Sequence, residues 1–356
     1  MKSRRIVFLL TAGTVLALFA GMLLNSCSGG GKSTQSGAVA LYVTDSIADY
    51  KQVTATINKI DVLHTGSGNS CTVFTGPQTF DITDLAEVMQ LIDVGSCPAV
   101  PYNRIHIEFA KSVTLMDLAG NTSSCRFLSY KDDQNRPNAL ACGTDACTLD
   151  ISGAVNVLVN KQNKIALDFD LKNFDVVNFG DPAACAVTMK VSPLHAGEMQ
   201  ALMRPEAVTG LVSGLSTTDR TFTLTRGNTS FSVLYSGITA SQQPGIDALL
   251  LRAQDDRLRT WVLASQIDLT NHTITATALY VKVEGTVAAG SLDSTNHTFT
   301  VNYGSARSIS VDYTLAIVDG VLTEGCWVEV KLYGVEGANF LAKKVDIQAS
   351  GTVTDN

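Results

Sequence analysis

Histidine is scarce, five in 356 residues. His64, His106, His195, His272 and His297 form no H-E-x-x-H, no pair along one strand, and have no cysteine close by, which removes the usual zinc-hydrolase patterns. No G-x-S-x-G elbow occurs and no Ser, His and acid set stands out, so no catalytic centre is expected. Aromatic residues make up only 7%, with two tryptophans, Trp261 and Trp327, which counts against a surface built for stacking on sugars. Basic side chains are outnumbered, 26 against 33 acidic, which argues against a nucleic-acid partner. Like charges do not cluster in runs, so there is no acidic tail.

The chain begins with basic Lys2, Arg4 and Arg5, followed by residues 6–24 without a charge. About 20 apolar residues cross a bilayer as a helix, so hydropathy alone allows an uncleaved anchor. The stretch ends in Leu24, Asn25, Ser26 and Cys27, which resembles the bacterial lipoprotein signal: an apolar residue, a small residue directly before the cut, then cysteine. The small residue admits the peptidase, and the thiol is the nucleophile that takes diacylglycerol. The resemblance implies that residues 1–26 are a signal peptide. Cys27 would become the N-terminus and carry the lipid, palmitate among its acyl chains, which suffices for stable membrane anchoring. Ser28 rather than Asp after the cysteine implies the outer membrane, with the protein facing the periplasm or the cell surface. Residues 27–37, rich in Gly, Ser and Thr, read as a flexible tether. The run at 29–33, GGGKS, ends like a phosphate-binding loop, but Ser26 stands where its first glycine belongs and no core strand precedes it. Without residues 1–26 the chain carries 26 less three, 23, basic against 33 acidic side chains.

Six of the remaining cysteines, Cys71, Cys97, Cys125, Cys142, Cys147 and Cys185, fall within one window. In an exported chain such an even cluster reads as up to three disulfides, and spacing does not choose among the connectivities. Zinc needs tighter pairs than the single C-x4-C of Cys142 and Cys147. Without C-x-x-C-H, covalent haem is excluded. Cys326 shares parity with Val328 and Val330 and is expected as a buried free thiol.

Apolar residues alternate nearly everywhere, the mark of half-buried strands. Val39, Leu41 and Val43 share a face, as do Ile105, Ile107 and Phe109, and Ile165, Leu167 and Phe169. Val53, Ala55 and Ile57 alternate, then Ile60 and Val62 take the other parity, which calls for a bulge. One segment departs: in DLAEVMQLID, Leu85, Val88, Met89 and Ile92 stand at helical spacing with Asp84 as N-cap and Glu87 three residues on, predicting a short helix. The expected fold is all-β, an antiparallel β-sandwich with one short helix over residues 38–197, a linker at 198–206, and then a duplication. V-x-G-x-V recurs at Val208, Gly210, Val212 and at Val283, Gly285, Val287. Further landmarks are T-F-T at 221–223 and 298–300, and LASQID at 263–268 against LAKKVD at 341–346. Two repeats, 207–281 and 282–350, each with about five short strands, suit small OB-like β-barrels, the first with a helix inserted at PGIDALLLRAQ.

GAVALYVTDSIADYKQVTATINKIDVL at 37–63, FDITDL at 80–85, YNRIHIEF at 102–109 and LDFDLKNFDVV at 167–177 together resemble the family known as domain of unknown function 4382, found in secreted and lipid-anchored bacterial proteins. Ile47 departs from the proline that the family often carries after the Thr-Asp-Ser turn. The two repeats resemble domain of unknown function 5666 in their V-x-G-x-V start, T-F-T strand and closing L-A-x-x-V-D. These resemblances imply architecture and location and bring no activity with them.

Few constellations remain. Asp168 and Asp170 share one face of a strand, and with Asp45 they offer oxygen ligands for calcium, the one cofactor candidate; a turn-forming Asp45 and a solvated or hydrogen-bonded acidic face are the favoured explanation. His272 and His297 each sit in T-N-H-T, which reads as a turn. The Trp327 indole is expected to face out of the second barrel, where it stacks on a sugar or, as expected here, packs against a neighbouring domain. The sequence thus describes a non-enzymatic, lipid-anchored cell-envelope protein, held to the membrane by lipid on Cys27 and built for structural or protein contacts. A carbohydrate-binding lipoprotein for an envelope polysaccharide, assisted by calcium, is the alternative.

Overall fold

The computed structural model describes residues 35–45, 50–85, 88–129, 140–159, 161–169, 175–188, 191–194, 204–227 and 229–348. The fold is all-β with one α-helix among the described residues. Strands β1 (Ser36–Asp45), β2 (Gln52–His64), β3 (Asn69–Asp81), β4 (Met89–Pro98), β5 (Pro101–Met116) and β6 (Thr122–Phe127) come first. They are followed by β7 (Leu140–Cys142), β8 (Cys147–Asn156), β9 (Gln162–Phe169), β10 (Asp175–Val177), β11 (Ala186–Thr188) and β12 (Val191–Leu194). These twelve make a sandwich. One sheet runs β12-β9-β1-β4; the facing sheet runs β10-β11-β6-β5-β2-β3, with β8 and β7 alongside β5. Val39, Leu41 and Val43 from β1 meet Ile57, Ile60, Ile107 and Phe109 in the core between them. The bulge in β2 is present, a register shift at Ile57–Lys59 against both β3 and β5. The sandwich is not wholly antiparallel: β9 pairs in parallel with β1 on the edge opposite β4, and β11 pairs in parallel with β6.

The expected helix over DLAEVMQLID does not form. A single 3-10 turn, Thr83–Leu85, is followed by β4, residues 86–87 lying outside the described part. The reason is burial on both faces. Met89 and Leu91 point into the core shared with the following strands, whereas Ile92 points into the sandwich core. A strand buried on both sides shows a continuous apolar run rather than alternation, and short runs of that kind imitate helical spacing. Each fully buried aliphatic side chain contributes about 1.5–3 kcal/mol, against about 1 kcal/mol for an N-cap, so packing decides. β1 is likewise doubly buried, with Ala40 and Tyr42 on the face away from the sandwich core.

The second half comprises β13 (Glu206–Ser216), β14 (Thr221–Arg226), β15 (Thr229–Leu234), α1 (Ile246–Asp256), β16 (Arg259–Asp268), β17 (Thr273–Val287), β18 (Thr298–Tyr303), β19 (Arg307–Asp312), β20 (Ile317–Asp319), β21 (Trp327–Glu336) and β22 (Asn339–Gln348). Pairing runs β13-β14-β15-β17-β16 and back to β13, with β15 and β17 parallel and the rest antiparallel. It runs again β17-β18-β19-β22-β21 and back to β17, with β19 and β22 parallel. Two five-stranded rings of the same order therefore follow each other, and β17 belongs to both. Val281 pairs with Thr260 in the first ring and Leu332 in the second, so the expected boundary at 281/282 falls inside one unbroken strand.

Gly210 and Gly285 hold corresponding places in the two rings. A Cβ on Gly210 would lie 2.5 Å from the Thr225 carbonyl oxygen, and one on Gly285 would run into the Asn302 carbonyl oxygen. The first strand of each ring thus passes so near the second that only glycine fits. The T-F-T segments also fall on corresponding strands, β14 and β18. The third landmark does not: LASQID lies on β16, the fourth strand of its ring, and LAKKVD on β22, the fifth. Alternating strands share such short patterns whatever their place in the ring. Helix α1 stands between the third and fourth strands of the first ring, where the second ring has β20 instead.

Candidate functional site

Cys27, Asp170 and His195 lie outside the described residues, and of Asp45 only the backbone is described, opposite Phe169. Asp168 is half-buried on β9, its backbone paired with Thr44 and Ser192. Among the described residues no group of three or more His, Cys, Asp or Glu side chains is placed to hold a metal ion, and no helix is long and apolar enough to cross a membrane. All six clustered cysteines are paired. Cys71–Cys97 ties β3 to β4 and so one sheet to the other, Cys125–Cys185 fixes the start of β11 beside β6, and Cys142–Cys147 closes the β7–β8 hairpin. Cys326 is free and half-buried at the edge of the ring core, less deeply placed than expected.

Trp327 is half-buried on β21, between Thr286 and Gln348 of the adjacent strands. Trp261 is buried against Val88 and Ala207, with the Lys331 ammonium 5.0 Å from its ring centre and 5.1 Å from that of Tyr280. His106 Nδ1 lies 2.9 Å from Asp150 on the outer face of the sandwich. His272 and His297 take left-handed backbone conformations, φ 50° and 54°, in two turns of the same build. In each, an aspartate, Asp268 or Asp293, accepts the backbone N–H groups of the residues two and three positions on. Backbone donation from Asn271 and Asn296, respectively, holds both carboxyls below the usual range.

The chemistry that sequence reading missed lies where the sandwich meets the rings. β4 pairs in parallel with β13, Met89 to Glu206 through Leu91 to Val208, so one sheet continues from one half into the other. Across this seam the Tyr42 hydroxyl donates to Glu206 at 2.9 Å, and Lys164 pairs with the same carboxylate. Burial, with Glu206 beside it, raises the Tyr42 hydroxyl well above its ordinary value. Gln90 donates to Thr209 at 2.9 Å, and Arg226 donates to the Ile92 carbonyl at 3.1 Å and to Thr209 at 2.8 Å. Burial, reinforced by Arg259, lowers the Arg226 guanidinium from its ordinary value.

A second junction centres on Lys282, whose side chain is only 11% exposed. Its ammonium lies 3.3 Å from Asp84 of the sandwich, 2.5 Å from Glu329 on β21 and 3.6 Å from Glu284 on its own strand. Glu284 and Glu329 are directly opposite each other across β17 and β21, a placement that like charges resist unless a cation lies between them. Asp81, at the end of β3, accepts from the Thr83 backbone at 3.1 Å and the Thr83 hydroxyl at 2.7 Å. Burial, then Asp84, pushes the Asp81 carboxyl up to about 6. Burial pushes Glu329 up to about 8, with Lys282 pulling it down. Burial alone would lower Lys282, but Asp84, Glu329, Glu284 and Asp81 hold it well above its ordinary value. With four carboxylates around one amine, the amine keeps its proton and the surplus carboxylates compete for others.

Parity carried part of this signal. Lys282 and Glu284 alternate with Val281, Val283 and Gly285, and Glu329 stands between Val328 and Val330. All three therefore point out of the ring. Nothing in that pattern says that Lys282 and Glu329 are covered while Glu284 stays exposed.

The class defined by these observations is a disulfide-tied β-sandwich fused through a continuous sheet to two strand-sharing rings. Residues 36–180 match the family model described as a domain of unknown function (DUF4382). The match covers the sandwich up to the residues before Cys185, β11 and β12. No curated protein and no solved structure matches the chain.

Proposed function

We propose that the protein is a non-enzymatic, lipid-anchored component of the bacterial cell envelope, held in the outer membrane through Cys27 and presenting its β modules for protein contact. The observation that carries this reading is the pairing of all six clustered cysteines, since such bridges persist in oxidising compartments outside the cytoplasm. The signal-like segment 1–26 supports the same location. The two rings, read as OB-like modules akin to domain of unknown function 5666, supply extended surfaces without demanding a catalytic centre. Replacing Cys27→Ala tests the anchor: labelled palmitate is expected to enter the wild-type protein and not the variant, which should leave the membrane fraction or persist as a longer precursor. Normal labelling of the variant would overturn the assignment. Cross-linking in intact cells is expected to recover a protein partner in near-stoichiometric yield; recovery of polysaccharide alone would favour a carbohydrate-binding role instead.

A further inference from the structure

Two lysines join the sandwich to the second ring. Lys282 reaches Asp84, and Lys51 donates to the main-chain carbonyls of Asp319 and Ile347. The groups facing this junction come from seven segments. The sandwich contributes Asp81 from β3, Asp84 from the 3-10 turn and Lys51 just before β2; the ring contributes Lys282 and Glu284 from β17, Glu329 from β21, Lys344 and Asp346 from β22, and Asp319 from β20. Lys344 is engaged by Asp346 at 2.8 Å; of the two lysines that bridge the halves, Lys51 meets main-chain carbonyls and Lys282 meets carboxylates. Around it, Asp81, Asp84, Glu284 and Glu329 are four acids to one base.

We propose that this junction is a pH-responsive latch, closed through Lys282 while Asp81 and Glu329 carry protons and loosened as those carboxyls ionise. With both protonated, the group of five carries one net negative charge; with both ionised it carries three, around a Lys282–Glu329 pair that is nearly buried. The added repulsion arises among Asp81 and Asp84 of the sandwich and Glu284 and Glu329 of the ring. Part of it acts within each half, between Asp81 and Asp84 and between Glu284 and Glu329, and the part between Glu329 and Asp84 acts on the contact between the halves.

The direction follows from the raised carboxyls. An acid whose value is higher when the junction is closed binds its proton more tightly in that state, so closure is most favoured at low pH and weakens as pH rises. The window is set by Asp81 at about 6 and Glu329 at about 8. Lys282, held above its ordinary value, stays charged throughout. Each such acid changes the opening equilibrium by at most ~10-fold per pH unit.

Hydrogen exchange on the full chain, read by mass spectrometry and divided by the intrinsic rate at each pH, tests the latch. Peptides spanning 80–85, 281–285 and 327–332 are expected to lose protection by ~10-fold or more between about pH 6 and about pH 8.5. Peptides of β5 and β18 should stay protected. Glu329→Gln is expected to flatten the change, and Asp81→Asn carries the same expectation should the first variant fold poorly. Lys282→Met should open the junction at both pH values. Equal protection of the wild-type junction at the two pH values, or the same loss in wild type and in the glutamine and asparagine variants, would overturn the proposal.

Discussion

The sandwich and the rings solve the problem of holding short strands together in different ways. The sandwich has open sheets, and three disulfides tie them: one joins the sheets, one pins a late strand, and one closes a hairpin. The rings contain no disulfide among the described residues, and their one cysteine, Cys326, is free. They have instead closed pairing, so no strand of the five lacks a neighbour on either side, and a shared strand that makes the closure of one ring support the other. Covalent ties appear where sheets end, and are absent where sheets return on themselves.

Reduction should separate the two halves most strongly. Losing native bridges costs about 2–5 kcal/mol, and both tryptophans lie in the rings. Circular dichroism is therefore expected to register loss of structure at a temperature where the fluorescence of Trp327, read in a Trp261→Phe variant because Trp261 packs against Val88, still reports intact rings; coincident loss in both signals would mean that the rings depend on the sandwich. A comparable effect is expected from Gly285→Val, whose side chain would collide with the Asn302 carbonyl, at about 3 kcal/mol in urea denaturation. Gly210→Val should match it in the first ring, and a large disparity would show that the rings are not equivalent in packing. The smallest effect concerns the tie between the rings. Tyr303 accepts from Arg252 Nε at 2.9 Å and Nη2 at 2.7 Å and donates to Asp256. Tyr303→Phe leaves Arg252 and Asp256 paired at 2.6 Å, so a loss of about 1 kcal/mol is expected, seen as a small shift of the urea midpoint.

What sequence pattern could reveal was local. Strand parity, the β2 bulge, the inserted helix α1 and the two T-N-H-T turns each depend on a few neighbouring residues, and all appear as expected. The turns show this best, because the same residues build the same aspartate-centred turn in two different connections. What pattern concealed was set by contacts distant in sequence. β4 looked helical because its second face meets residues more than a hundred positions away. The Lys282 junction was not legible because alternation gives the direction of a side chain and not what covers it. Asp84, expected as a helix cap, is instead the sandwich's contact with that lysine.

The shared strand β17 also orders the birth of the second half. The first ring lacks its fifth strand until the chain through Val281 has been delivered, so a chain that emerges N-terminus first cannot finish that ring early. When it does finish, the strand that completes it already runs on to Val287 as the first strand of the next. Completion of one module thus lays the template for the other, and assembly of the pair proceeds in one direction along the emerging chain.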